Sequence, residues 1–367
     1  MSKIQNVVLI DVVPPVMTPE ETEDHLSEVV SLVKTYGKAN IVKIIQRRAQ
    51  PHPGTYIGSG KADEVAAMIK PQRIDVVILN ALAKSSQVYK LQKLFWEKNP
   101  NIEVWDRVDL ILHIFEKHAR TAEAKLQIEL ARMRHMGPRM YGLGTELGRQ
   151  GGGIGTRGLG ETNIELMKRH WRQEMKKTQE KLTKQEKTKT NQMDRRREQG
   201  FQTVAIVGYT NAGKTTLFNK LTGKDKLSKD VLFATLDSSI GKLAHSDKPI
   251  LVADTIGFIQ NLPASLIDAF KSTLLESTHA DLLLHVIDIS DPKMYDKIQT
   301  VEKILAELGL AEKKKVYVFN KRDLLQNPQR IDELKREFTE FSPQFISVQE
   351  DENVTQLNDV MKANTYW

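Results

Sequence analysis

The feature that most constrains this 367-residue chain is a glycine-rich loop at residues 208–215, GYTNAGKT. It follows the apolar run Val204–Val207 and precedes Thr216–Leu221, which has helical periodicity. A strand before and a helix after are the context that the phosphate-loop pattern G-x-x-x-x-G-K-[ST] requires. The backbone N–H groups of such a loop wrap the phosphates of a nucleotide. We expect the nucleotide to contact Gly208, Tyr209, Thr210, Asn211, Ala212, Gly213, Lys214, Thr215 and Thr216.

Within this loop the lysine and the threonine have separate predicted roles. Lys214 is expected to neutralise the β- and γ-phosphates and to act in catalysis, and the Thr215 hydroxyl to coordinate Mg²⁺. Asp254 ends a buried strand in ILVADTIGF, where a carboxylate can hold Mg²⁺ through water. Gly257, three residues later, is expected to bond the γ-phosphate and to release it after hydrolysis. Upstream, the segment VLFATLDSS places Phe233 beside the nucleotide and Thr235 as a third Mg²⁺ ligand and a catalytic group.

The base is predicted from VYVFNKRD, where Asn320, Lys321 and Asp323 follow a strand at N-K-x-D spacing. A carboxylate can accept hydrogen bonds from guanine N1–H and from its 2-amino group, whereas adenine has no such donor pair. Ser347 and Val348, in FISV, are placed to contact the guanine oxygen through backbone N–H groups. Four ordered motifs of this kind predict GTP as the nucleotide.

The residue that follows Gly257 is Phe258, where many GTPases have a glutamine that orients the attacking water. Phenylalanine has no donor or acceptor for that task. We therefore expect slow intrinsic hydrolysis that a partner completes, or another group or a bound cation in place of the glutamine. Asn211 is placed to help ligate a monovalent cation such as K⁺, and the alternative is that it only stabilises the loop.

Residues 1–106 alternate between strand-like and helix-like segments, which predicts a mostly parallel sheet with helices packed on it. The expected strands are Val7–Ile10, Asn40–Ile45, Asp75–Leu79 and Ile102–Trp105, and the expected helices are Pro19–Tyr36, Lys61–Ile69 and Ser85–Glu97. The turn Gly58–Lys61 leads into one of these helices, so an anion could bind there. Its spacing lacks the full phosphate-loop pattern, and an ordinary strand-to-helix turn is the alternative.

Residues 107–199 have the pattern of two long helices. The first carries an apolar stripe from Phe115 to Met136 and is expected to end at Gly137–Pro138. The second carries Ile164, Met167, Trp171, Met175 and Leu182 on one face. We expect an antiparallel hairpin with a Gly-rich tip loop at residues 142–161, which contains Arg149, Gln150 and Arg157 and would become ordered on RNA. A floppy connector is the alternative.

The net charge of +7 is concentrated, because residues 168–200 carry 12 basic and 5 acidic side chains. A basic helix at 168–199 is typical of a surface that binds a polyphosphate, although a merely solvated helix face gives the same pattern. Cysteine is absent, and neither a signal peptide nor an apolar stretch long enough to span a membrane is apparent. We expect a soluble, monomeric cytoplasmic protein.

Taken together, these motifs resemble those of the HflX-type GTPases over nearly the whole chain. The segments that carry the resemblance are residues 106–134, GGGIGTRGLGE (151–161), GYTNAGKTTLFN (208–219), FATLD (233–237), DTIGF (254–258) and NKRD (320–323).

The resemblance implies an α/β fold with three parts: an N-terminal parallel-sheet α/β domain (1–106), a helical hairpin (107–199) and a C-terminal P-loop G domain (200–367). It also implies an Mg²⁺-dependent GTPase that binds the large ribosomal subunit and ribosomal RNA through the Gly-rich loop and the basic helix. Such proteins dissociate or rescue stalled ribosomes, contact with the ribosome stimulates hydrolysis, and a hydrophobic residue stands in place of the catalytic glutamine. Two features depart from many relatives: after Ser347, where many relatives carry an additional C-terminal domain, we expect one helix near Val354–Ala363, and Leu159 stands where many relatives have proline.

Two other functions remain open from the sequence alone. One is an ATP-dependent RNA remodelling protein that uses the Gly58–Lys61 turn. The other is a non-enzymatic RNA-binding adaptor in which the nucleotide only stabilises the fold.

Overall fold

The computed structural model describes residues 6–150, 159–224, 239–260 and 274–365, without 245 and 248 and together with 263, 266 and 267. Contacts divide the described chain into two compact units. One comprises Met1–Lys117 and Ile128–Glu180, and the other comprises His118–Gln127 and Lys181–Trp367. The boundaries of the three predicted domains stay a prediction.

The first unit contains a four-stranded parallel sheet with helices between its strands. The strands are β1 (Asn6–Val13), β2 (Asn40–Arg47), β3 (Val76–Leu79) and β4 (Glu103–Trp105), and the helices are α1 (Pro19–Tyr36), α2 (Ser59–Ile69) and α3 (Ser85–Trp96). The sheet order is β2-β1-β3-β4. The predicted alternation of strands and helices is confirmed. All four residues of β3 are buried, as its continuous apolar sequence indicates for a strand that is covered on both faces.

Three further helices follow: α4 (Arg107–His118), α5 (Ala122–Gln150) and α6 (Leu159–Glu198). The prediction of one continuous helix through Phe115 and Met136 is wrong, because the chain leaves the helix between α4 and α5. Thr121 starts α5 by accepting a hydrogen bond from Ala124 N at 3.1 Å, as helix-capping threonines do. No helix among the described residues has both the length and the apolarity that a membrane crossing needs.

The prediction that the first long helix ends at Gly137–Pro138 is also wrong, since α5 continues to Gln150. Pro138 has no backbone N–H to donate within the helix. The side chain of the next residue, Arg139, anchors the helix at this point. The Arg139 guanidinium donates to Asp109 Oδ2 at 2.5 Å and to Asp106 Oδ2 at 2.6 Å. Burial opposes the charged form of His135, yet its hydrogen bonds to the same two aspartates prevail and raise its pKa to about 9. This charge cluster holds the helix on either side of the proline.

Asp106, Asp109 and His135 also have their ligand atoms within 4.8 Å of one another, a spacing that a metal ion could use. The guanidinium of Arg139 already bonds both carboxylates. The guanidinium of Arg139 therefore supplies the positive charge at this cluster, in the place that a metal ion could take.

The prediction of a loop over the whole of residues 142–161 is wrong at both of its ends. Residues 142–150 belong to α5, residues 159–161 belong to α6, and residues 151–158 lie outside the described part of the chain. Glycine costs about 1 kcal/mol in a helix, but an already nucleated helix can extend through isolated glycines between good helix formers.

Side-chain contacts confirm that α5 and α6 run antiparallel. Glu123, near the start of α5, forms an ion pair with Lys189, near the end of α6, at 3.5 Å, whereas Arg134, later in α5, donates to Oε1 of Gln179, earlier in α6, at 3.1 Å. Of the residues predicted on the apolar face of α6, Leu182 is buried and Met167 is exposed. Met167 was therefore assigned wrongly to the buried face.

The second unit contains a six-stranded sheet in which five strands are parallel. Its elements are β5 (Gln202–Gly208), α7 (Lys214–Thr222), β6 (Ser239–Lys242), β7 (Ile250–Asp254), α8 (Leu275–His279), β8 (Leu282–Asp288), α9 (Met294–Glu307), β9 (Lys315–Asn320), α10 (Gln329–Glu337), β10 (Gln344–Phe345) and α11 (Val354–Thr365). The order is β10-β9-β8-β5-β7-β6, and only β6 is antiparallel to its neighbour. The carboxyl ends of β5, β7, β9 and β10 thus lie along one edge, where ligands of open α/β sheets bind.

Candidate nucleotide site

The loop between β5 and α7 has a backbone that only glycine tolerates at two positions. Gly208 has φ +145° and Gly213 has φ +95°, both outside the range that side chains favour. A Cβ atom at Gly208 would overlap Val286 O, and one at Gly213 would overlap Asn320 Nδ2. The two outer glycines of the motif are therefore needed because neighbouring strands approach the loop closely.

Lys214 begins α7, and its side chain is buried beneath the loop. Its Nζ donates to Tyr209 O at 2.6 Å. Burial lowers the pKa of Lys214 to about 8, and the charge of Asp254 partly offsets this effect. A desolvated ammonium gains more from an anionic ligand than a solvated one does, which suits the predicted contact with phosphates.

The two predicted Mg²⁺ ligands on β7 and α7 lie together. Thr215 Oγ1 donates to Asp254 Oδ2 at 3.0 Å. A hydroxyl beside a buried carboxylate is a hard oxygen set of the kind that Mg²⁺ prefers, so these residues fit the ion. The third predicted ligand, Thr235, and the predicted nucleotide contact Phe233 lie outside the described residues.

The segment after β7 is bonded to the phosphate loop. Thr210 N donates to Phe258 O at 2.8 Å, and Phe258 N donates to Gly208 O at 3.1 Å. Two residues further on, Gln260 N donates to the Tyr209 hydroxyl at 2.7 Å. The ring of Phe258 is buried, so it fixes the position of the segment and cannot orient a water molecule.

Gly257 immediately precedes Phe258 on this segment. A Cβ atom there would come within 2.8 Å of Lys214 Nζ and 2.8 Å of Thr210 Cγ2. The absence of a side chain thus lets the segment approach the group that is predicted to bind the γ-phosphate.

Asn320, at the end of β9, bonds both the phosphate loop and the segment that follows β10. Its Nδ2 donates to Ala212 O at 2.9 Å, and its Oδ1 accepts from Val348 N at 3.2 Å. The predicted base-binding residues are therefore brought together with the phosphate loop through one buried amide.

The carboxylate of Asp323, which is predicted to select the base, is held in position by Ser347. Ser347 Oγ donates to Asp323 Oδ1 at 2.6 Å and accepts from Glu350 N at 3.2 Å. Lys321, at φ +64°, forms an ion pair with Asp288 Oδ2 at 2.6 Å. Sequence reasoning missed both Asp288 and the contact between Ser347 and Asp323. The sequence contained a signal for Asp288, since it follows the apolar run of a strand as Asn320 does, and the structure pairs these two residues across neighbouring strands.

The turn at residues 58–61 of the first unit, considered above as an anion site, is already engaged. Gly58 N donates to Gln46 Oε1 at 2.8 Å, and Lys61 Nζ lies 2.5 Å from Glu64 Oε2. These contacts do not favour an N-terminal nucleotide site.

Comparison with protein families gives three matches that follow one another along the chain. Residues 23–116 match the GTP-binding GTPase N-terminal family, residues 118–196 match the GTP-binding GTPase Middle Region, and residues 203–321 match the 50S ribosome-binding GTPase family.

Individual proteins of similar sequence are also GTPases. The chain is 44% identical over 312 residues to the GTPase HflX of Caldanaerobacter subterraneus subsp. tengcongensis, which covers 85% of this chain and 72% of the relative. It is 40% identical over 311 residues to the GTPase HflX of Escherichia coli, with 84% and 72% covered. A crystal structure of a Sulfolobus solfataricus GTP-binding protein in complex with GDP covers 99% of both chains with a TM-score of 0.53 and 23% identity, which supports the fold alone. The chain therefore belongs to the HflX family of GTPases, and it binds and hydrolyses GTP.

Proposed function

We propose that this GTPase binds the large ribosomal subunit and that its GTP form dissociates or rescues stalled ribosomes. Two features support ribosome binding: the match of residues 203–321 to a 50S ribosome-binding GTPase family, and the cationic surface of α6. The proposed organisation keeps the predicted domains at 1–106, 107–199 and 200–367, with the hairpin as the RNA-binding part.

The observation that carries the proposal is the distribution of charge on α6. Its buried positions include Thr178, Leu182 and Met193. Nine of its cations are exposed: Arg169, Arg172, Lys176, Lys177, Lys181, Lys184, Lys187, Arg195 and Arg197. A helix that packs on one stripe and presents cations elsewhere matches the phosphate backbone of RNA, because each contact releases counterions.

Cosedimentation of the full chain with large ribosomal subunits, in a non-hydrolysable GTP analogue, tests this proposal. We expect binding whose affinity falls steeply with salt, by about 100-fold or more between 50 and 200 mM if five or more phosphates are contacted. Reversing the charges of Lys176, Lys181 and Lys184 should abolish binding. The control reverses Lys303 and Lys335, which are exposed cations of the second unit, and should bind normally. Salt-independent binding, or equal loss in both variants, would contradict the proposal.

In the proposed catalytic arrangement, the loop N–H groups and Lys214 hold the triphosphate, and Thr215, Asp254 and Thr235 hold Mg²⁺. The ion would neutralise charge that develops on the phosphates. Gly257 bonds the γ-phosphate, and loss of that phosphate releases the segment that Phe258 anchors. Intrinsic hydrolysis is slow because no glutamine orients the water, and ribosome contact accelerates it.

We also propose that Asn211 helps to bind K⁺ beside the phosphates. Its side chain is exposed on the loop at φ +63°, so its amide oxygen is accessible to a cation. Replacing Na⁺ with K⁺ at constant ionic strength should raise kcat by about 100-fold, the order expected of one electrostatic group beside the transferred phosphate. Asn211→Ala should remove this difference. Equal rates in the two salts would show that Asn211 only stabilises the loop.

A further inference from the structure

The side chain of Tyr209 joins the phosphate loop to the segment that follows β7. Tyr209 is buried, and its hydroxyl accepts a hydrogen bond from Gln260 N at 2.7 Å. The two bonds between the loop and Phe258 join backbone atoms, so they can form with any side chain at position 209. The bond from Gln260 N, in contrast, requires an acceptor at the far end of the side chain of residue 209.

The ring of Tyr209 also faces α9. Lys297 Nζ, on that helix, lies 4.9 Å from the ring centroid and forms an ion pair with Asp291. A cavity of about 60 Å³, which Tyr209 lines, lies between the phosphate loop, the end of β8 and the start of α9. Because this cavity borders the ring, close packing alone does not fix the ring in place. The hydrogen bond to the segment therefore contributes to its position.

The position of the segment matters because it contains Gly257, three residues before Gln260. A backbone N–H group stabilises the charge on a transferring phosphate only from within hydrogen-bond distance, and a misplacement of about 1 Å can cost about 100-fold in rate. A Cβ atom at Gly257 would come within 2.8 Å of Lys214 Nζ. The segment that Tyr209 bonds thus lies beside the lysine that is predicted to bind the same phosphate.

We propose that Tyr209 is a positioning residue for GTP hydrolysis, and that its hydroxyl holds the segment so that Gly257 N–H reaches the γ-phosphate. The hydroxyl touches neither the phosphate nor the attacking water, and it transfers no proton. The proposal rests on the proposed contact between Gly257 and the γ-phosphate, and it is independent of ribosome binding.

Two matched variants of the full chain test this role in the absence of ribosomes. Tyr209→Phe removes the hydroxyl and keeps the ring beneath Lys297. Tyr317→Phe is the control, because Tyr317 is also buried in the second unit and its hydroxyl donates to Glu302 Oε1 at 2.8 Å. Each variant loses one phenolic hydrogen bond, so the Tm of both should fall by a similar few degrees.

We expect Tyr209→Phe to lower the single-turnover rate at saturating GTP by about 10- to 100-fold. Its affinity for GDP should change by less than about threefold, because GDP has no γ-phosphate for Gly257 to contact. Its affinity for GDP with aluminium fluoride, which mimics the transferring phosphoryl group, should fall by the same factor as the rate. Tyr317→Phe should stay within about threefold of the wild type in all three measurements.

Three results would overturn the role of Tyr209. One is a Tyr209→Phe protein with the wild-type rate. Another is a Tyr209→Phe protein whose affinity for GDP falls as much as its rate, because the hydroxyl would then maintain the shape of the whole loop. The third is a Tyr317→Phe protein that is equally slow, because lost stability would then explain both variants.

Gly257→Ala separates this role from the contact on which it rests. If Gly257→Ala is slow while Tyr209→Phe is normal, the contact with the γ-phosphate stands and the role of Tyr209 alone fails. If Gly257→Ala hydrolyses GTP at the wild-type rate, the proposed contact fails, and the role of Tyr209 fails with it. We expect both variants to be slow and Gly257→Ala to be the slower one, because its Cβ atom would also displace Lys214 Nζ.

Discussion

Replacing Lys214 with alanine should lower kcat for GTP hydrolysis by about 1,000-fold or more and weaken GTP binding by about 100-fold. Its Nζ is buried beneath the loop and bonded to Tyr209 O, so the substitution removes the buried charge that is predicted to face the phosphates. The loss should be smaller for GDP, which lacks the γ-phosphate. Single-turnover hydrolysis and equilibrium titration with GTP and GDP measure these effects.

Lys220 provides the matched control, because it lies on the same helix as Lys214 but is exposed and forms an ion pair with Asp351 at 3.1 Å. Lys220→Ala should leave the rate within about twofold of the wild type, as exposed ion pairs contribute little. ATP hydrolysis that persists in Lys214→Ala at the wild-type rate would contradict this assignment. It would favour instead an ATP-driven remodelling activity elsewhere in the chain.

Changing Asp323 to asparagine should turn the base preference from guanine towards xanthine. Xanthine has a carbonyl in place of the 2-amino group, so an amide that donates would match it where a carboxylate does not. Ser347 Oγ can still donate to the amide oxygen, which leaves the amide nitrogen for the base. We expect kcat/KM for GTP to fall by about 1,000-fold and that for XTP to exceed it.

Asp288→Asn is the control for this exchange. Asp288 holds Lys321 Nζ at 2.6 Å but is not predicted to touch the base edge. The substitution should weaken the binding of both GTP and XTP, and GTP should remain the preferred nucleotide. A chain in which Asp323→Asn lowers activity on GTP and XTP equally would show that Asp323 supports the fold and does not select the base.

Local patterns were sufficient to predict much of the fold. The strands and helices of the first unit lie close to their predicted bounds, because apolar periodicity and start signals act within a few residues. Thr18 and Glu21, for example, form a capping box that begins α1 next to Pro19. That the motif residues of the candidate site lie together was predictable for a related reason, since these motifs follow strand ends that share one edge of the sheet.

Features that depend on distant residues were not predictable. Arg139 carries α5 past Pro138 by bonding Asp106, 33 residues earlier in the chain. Asn320 bonds Ala212 across 108 residues, and Ser347 orients Asp323 from a different strand end. Periodicity within a helix contains no information about such partners. The burial of Thr210 likewise follows from the way the segment at Phe258 packs on the loop.

The most direct test of this account is calorimetric titration of the wild-type chain with GDP and with ADP in the presence of Mg²⁺. A site that reads the guanine edge with Asp323 should bind GDP at least about 1,000-fold more tightly than ADP. Equal heats and affinities for the two nucleotides would contradict the account, because the phosphate loop alone would then determine binding.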